Sequence, residues 1–81
     1  MGKFKILVVD DEPDILEILK YNLEKEEYKV YTASDGEEGL RVAEDKKPDL
    51  IILDIMMPNM DGVEVARNLR SNKQFEQTLI A

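Results

Sequence analysis

Two apolar runs in this chain stop abruptly on acids. "KILVV" (residues 5–9) leads straight into Asp10 and Asp11, and "LIIL" (residues 50–53) leads straight into Asp54. An acid at a strand end can be trivial, and the Asp10–Asp11 pair could simply cap a helix starting near Pro13. Taken together the acids say more. If the two runs are neighbouring strands, three carboxylates converge at one edge, where they repel each other and hold protons more tightly. A hard divalent cation relieves that repulsion. Mg²⁺ takes oxygen ligands, usually one or two carboxylates with waters and phosphate oxygens. The chain has no Cys and no His to compete as ligands. A carboxylate beside Mg²⁺ can also attack phosphorus and form an acyl phosphate. Asp54 is therefore a candidate phosphoryl acceptor, with Asp10 and Asp11 as candidate metal-site acids.

Elements must bring these acids together. Four strand-like runs recur: residues 5–9, "YKVYTA" (28–33), residues 50–53 and "TLIA" (78–81). The first and third are continuous rather than alternating, as in parallel strands covered on both faces. Helical spacing lies between them. Ile15, Ile18, Leu19 and Leu23 follow Pro13, which suits a first helical turn with Asp11 or Glu12 as cap. Leu40 and Ala43 follow Ser34-Asp35-Gly36, and Val65, Ala66 and Leu69 follow Asp61-Gly62. The order β-α-β-α-β-α-β predicts an α/β fold with a parallel sheet and right-handed crossovers. Ligands of such sheets bind outside the carboxyl ends of the strands, where these acids fall.

Composition narrows the function. The chain has 81 residues, enough for one small domain, and carries a formal charge of −7. That charge argues against nucleic-acid binding by this segment, since affinity for phosphate backbones comes from Lys and Arg. With no cysteine, disulfides and thiolate metal sites are excluded. No apolar run approaches the ~20 residues of a membrane span, and the N-terminus lacks the pattern of a signal peptide. A cytoplasmic location and no membrane association are expected. Neither GxxxxGK[ST] nor GxGxxG occurs, so the common nucleotide-phosphate cradles are absent. Met56, Met57 and Met60 read as soft packing residues of the loop after Asp54.

"ILVVDDEP", "ASDGEEGL" and "PDLIILDIMMPNMDG" together resemble the receiver domain of two-component response regulators, over essentially the whole chain. The flavour is similar to receivers of the winged-helix (OmpR/PhoB-like) type. The resemblance implies a flavodoxin-like, doubly wound parallel sheet in order 2-1-3-4-5. It implies Asp54 as the phosphorylated aspartate, Asp11 as a direct Mg²⁺ ligand and Asp10 as a neighbour acting through water. The Met56 backbone carbonyl would complete the metal site, and Pro58 and Gly62 would shape the pocket loop. The donor would be a phosphohistidine on a sensor histidine kinase. DNA would be reached only through a C-terminal effector domain outside this segment.

The sequence also departs from the family pattern. The family's Ser or Thr after the fourth strand and Lys after the fifth have no counterpart in these residues, and Thr78 falls too early to be the first of them. "TLIA" reads as a strand only begun, so residues 1–81 are expected to be the N-terminal part of a single receiver domain, lacking its C-terminal strand and helices. Two consequences are expected: impaired phosphorylation and switching, and a homodimer or domain-swapped oligomer formed through exposed apolar surface or an open edge. A half-domain that only folds or dimerises is the alternative. An aspartyl-nucleophile phosphatase fits poorly, because its second acid would fall at Met56. The chain is accordingly not expected to be an enzyme.

Overall fold

The computed structural model describes residues 3–53, 62–71 and 79–80. Along them run β1 (Lys5–Val9), α1 (Pro13–Lys25), β2 (Lys29–Ala33), α2 (Gly36–Lys46), β3 (Leu50–Leu53), α3 (Gly62–Arg70) and β4 (Leu79–Ile80). The strands form one parallel sheet, as the alternation of strand and helix predicts, and their order β2-β1-β3-β4 agrees with the order that the receiver resemblance implies. β1 lies between β2 and β3, and Ile6, Leu7, Val8 and Val9 are all buried. Helices on both faces explain why that run is continuously apolar. Val9 pairs with Ala33 on one side and with Leu53 on the other, so the three strands end level.

Each face has its own core. Leu7, Val9, Ala33 and Ile51 pack with Ala43 of α2 and Leu69 of α3. Ile6, Val8 and Val30 pack on the opposite face, under Leu16, Leu19 and Leu23 of α1. α2 approaches closely through Gly39, where a Cβ would lie 3.0 Å from Val9 Cγ2. α2 is capped by Asp35, whose carboxylate accepts the Glu38 N–H at 2.8 Å.

Two local expectations are corrected for α1. The sequence spacing grouped Ile15 and Ile18 with Leu19 and Leu23. The structure turns Leu16, Leu19 and Leu23 to the sheet and leaves Ile15 and Ile18 at 40% and 59% exposed. The apolar stripe of α1 is wider than the strip of sheet it covers, and Ile15, Ile18 and Tyr21 form its outer flank. A groove of about 440 Å³ there is lined by Asp14, Glu17, Ile18, Tyr21 and Asn22. Second, neither Asp11 nor Glu12 caps the helix with its side chain. Glu12 occupies the N-cap position without a side-chain bond. The reason is Asp10, whose carboxylate takes the Glu12 N–H at 2.9 Å, a turn that Asp forms with its own backbone two residues on.

α1 ends in a six-residue closing pattern. The Tyr28 N–H donates to the Leu23 carbonyl at 3.3 Å and the Glu27 N–H to the Glu24 carbonyl at 2.9 Å. Glu27 sits at φ 70°, the left-handed region in which glycine is the usual residue. A Cβ there is strained, so Glu27→Gly is expected to stabilise the chain by about 1 kcal/mol. Urea unfolding checks this, and an unchanged or lower midpoint would contradict it.

β2 is an edge of the described sheet. The Lys29 and Lys46 ammonium groups each lie 5.6 Å from the Tyr31 ring centre. Charge placed there disfavours pairing of this edge with another strand. Among the described residues no helix is long and apolar enough to cross a membrane.

Candidate functional site

The parallel register β1–β3 decides which acids share an edge. Val9 is level with Leu53, so the chain reaches Asp10 and Asp54 as the next residue of each neighbouring strand. Asp54, Met56 and Pro58 lie outside the described residues, and Gly62 opens α3. The sequence-level reading of Asp54 and of the Met56 carbonyl therefore stands on sequence and topology. Among the described residues no group of three or more acids is placed to hold a metal ion.

Asp10 and Asp11 are placed differently. The Asp10 N–H donates to the Ala33 carbonyl at 3.1 Å, which carries the β1–β2 pairing one residue past Val9. Its side chain is half-buried, and one carboxylate oxygen takes the Glu12 N–H. Backbone and side chain are thus both held. Asp11 is exposed and takes no part in the cap. The two adjacent acids differ: the Asp10 carboxylate is engaged in the turn, and Asp11 is exposed.

The donors fit a hard cation. The chain supplies carboxylate and backbone oxygens with no thiol or imidazole, the donor set that Mg²⁺ prefers. Asp10, with one oxygen already engaged, suits an indirect contact. Asp11 suits a direct one.

One residue of this region escaped the sequence reading. Glu38, on the first turn of α2, accepts the Ser34 N–H at 2.6 Å and the Ser34 hydroxyl at 3.0 Å. The Asp35-x-x-Glu38 spacing at a helix start is the signal that could have singled it out.

Residues 6–81 match the response regulator receiver domain family. Over 69 residues the chain is 61% identical to the alkaline phosphatase synthesis transcriptional regulatory protein PhoP of Bacillus subtilis (strain 168), covering 85% of this chain and 29% of that protein. The fold matches the Vibrio cholerae chemotaxis protein CheY4 with a TM-score of 0.93 and 37% identity, over 98% of this chain and 66% of that one. It matches the response regulator TrrA of Thermotoga maritima, solved in complex with Mg(2+)-BeF, with a TM-score of 0.81 and 50% identity, over 86% of this chain and 61% of that one. TrrA has also been solved with the histidine kinase ThkA, where the TM-score is 0.85 at 47% identity, over 94% of this chain and 64% of that one. The chain thus spans less than two thirds of each of these relatives. The similarity to PhoP agrees with the OmpR/PhoB-like type expected from the sequence.

The family match corrects one expectation. The chain was not expected to be an enzyme, yet receiver domains catalyse phosphotransfer and phosphorylate themselves. The physical reason is that charge stabilisation of the transferring group comes from the acceptor's own site. A parallel β2-β1-β3-β4 sheet, matched to one family along almost all of its length, leads to a single assignment: this chain belongs to the response regulator receiver domain family of two-component signalling proteins.

Proposed function

We propose that this chain accepts a phosphoryl group on Asp54 from a phosphohistidine of a sensor histidine kinase. Asp11, Asp54 and the Met56 backbone carbonyl would hold Mg²⁺, with Asp10 acting through water. The observation that carries this reading is the level ending of neighbouring strands β1 and β3, each followed directly by an aspartate. The donor set described above supports the metal, and the TrrA complexes support both the metal and the kinase.

In the transfer an Asp54 carboxylate oxygen forms a bond to phosphorus while the bond from phosphorus to the imidazole nitrogen breaks. The imidazole leaves neutral once that nitrogen or its partner carries a proton, and Asp54 becomes an acyl phosphate. When bound, Mg²⁺ would supply positive charge that offsets the repulsion between the carboxylate and the phosphoryl group. Asp11 binds and orients from its exposed position. Asp10 is held by Ala33 and Glu12, and so keeps the segment in place without rearrangement during the reaction.

The wider setting belongs to the same proposal. Residues 1–81 form part of a single receiver domain of cytoplasmic location. In the whole protein a C-terminal effector domain contacts DNA, supported by the similarity to the transcriptional regulator PhoP. Self-association is supported by the exposed Ile15, Ile18 and Tyr21 on α1.

Phosphoramidate, a small donor with the same phosphorus–nitrogen bond, tests the chemistry. With Mg²⁺ the chain is expected to gain a hydroxylamine-labile phosphoryl group, slowly, and to gain none in excess EDTA. A product that forms equally well in EDTA, or that resists hydroxylamine, would contradict the reading.

A further inference from the structure

One peptide group ties the end of β2 to both Asp10 and α2. The carbonyl of the Ala33–Ser34 peptide accepts the Asp10 N–H at 3.1 Å. The N–H of the same peptide donates to Glu38 Oε1 at 2.6 Å, and the Ser34 hydroxyl donates to that same oxygen at 3.0 Å. The chain of hydrogen bonds then continues from the Asp10 carboxylate to the Glu12 N–H at 2.9 Å. Helix capping accounts for Asp35, whose carboxylate takes the Glu38 N–H. It does not account for Glu38 reaching back to Ser34. In a capping box the glutamate takes the amide of the cap residue itself, whereas Ser34 lies one residue before the cap, in the peptide that holds Asp10.

We propose that Glu38 is a positioning residue for the metal-site acids. Its carboxylate fixes and polarises the Ala33–Ser34 peptide, which holds the Asp10 backbone and so sets the Asp10–Asp11 segment. The inference rests on the Mg²⁺ reading of Asp10 and Asp11. Hydrogen bonds to an ionised acceptor are strong, and successive bonds through one peptide reinforce each other. Groups hydrogen-bonded to a metal ligand typically alter metal affinity by about 10–100-fold, and Glu38, which acts through a peptide and Asp10, belongs at the lower end of that range. No other side chain among the described residues is seen to accept from the Ser34 amide, so loss of Glu38 leaves that peptide to water.

The test is a Mg²⁺ titration of the chain followed by the amide NMR signals of Asp11 and Glu12, at a temperature where each variant is folded. The parent is expected to bind, and Asp11→Asn to lose most of that binding. Glu38→Ala is expected to weaken Mg²⁺ affinity by about tenfold. Glu38→Gln keeps an acceptor oxygen without the charge and is expected to weaken binding less than Glu38→Ala does. Glu38→Asp keeps the charge but shortens the reach, so it too is expected to weaken binding, and it serves if the alanine variant does not fold. Asp35→Ala removes the capping bond while leaving the Ala33–Ser34 peptide intact, so it is expected to lower the melting temperature with Mg²⁺ affinity unchanged. Parent-like affinity in Glu38→Ala and Glu38→Asp, or equal weakening by Asp35→Ala, would overturn the positioning role alone. A parent that shows no Mg²⁺ response, or an Asp11→Asn variant that binds normally, would overturn the metal reading and the positioning role together.

Discussion

Asp11→Asn is expected to slow phosphoryl uptake from phosphoramidate by ~100-fold or more at a fixed, moderate Mg²⁺ concentration. The substitution keeps the shape of the side chain and one oxygen, but removes the charge. Mg²⁺ gives up its waters reluctantly and relies on one or two carboxylates, so a neutral amide is a poor replacement. Asp11 is exposed and makes no capping bond, so the fold has little to lose. A surface change of this kind usually moves stability by less than about 0.5 kcal/mol. The signature is therefore a large kinetic loss with an unchanged melting temperature, and a Mg²⁺ half-saturation shifted to higher concentration. Equal rates and equal half-saturation in parent and variant would remove Asp11 from the metal site.

Ile51→Ala is expected to cost about 3–4 kcal/mol of stability. Ile51 is 0% exposed and pairs with Leu7 in the centre of the sheet. It packs with Val9, Ala43 and Leu69, so β3 loses contact with two helices and with β1 when its side chain is cut back. A domain's total is only about 5–15 kcal/mol, and a chain this short falls toward the low end. The melting temperature is expected to fall by roughly 12 °C or more. Thermal melts followed by circular dichroism check this, with Ile51→Val as a control expected to cost only about 1 kcal/mol. A fall of a few degrees for the alanine variant would mean that the face under α2 and α3 is less tightly packed than it stands here.

Much of this fold is legible in the sequence. The continuous runs at 5–9 and 50–53 gave β1 and β3 with their bounds, because strands buried on both faces leave an unbroken apolar signature. The acids that end them are legible for the same reason: a carboxylate following such a run stands out. Other features were hidden. Which flank of α1 faces the sheet could not be decided from spacing, since Ile15, Leu16, Ile18, Leu19 and Leu23 offer more apolar positions than the sheet covers. The turn at Glu27 gave no sign, because a left-handed closing residue is normally marked by Gly or Asn and here is a glutamate among glutamates. Asp10 was read as a metal acid, with capping of the helix near Pro13 as the alternative, while its hold on the Glu12 N–H depends on the turn that the backbone takes. Glu38 was missed because its partner lies before the helix rather than within it.

The most direct measurement is the intact mass of the chain after prolonged incubation with acetyl phosphate and Mg²⁺, beside Asp54→Asn. A gain of one phosphoryl group in the parent and none in the variant is the expected result, and it would place the acceptor at the end of β3. A gain in both proteins would put the phosphoryl group elsewhere, and no gain in either would contradict the claim that the acids at this edge of the sheet carry the chemistry.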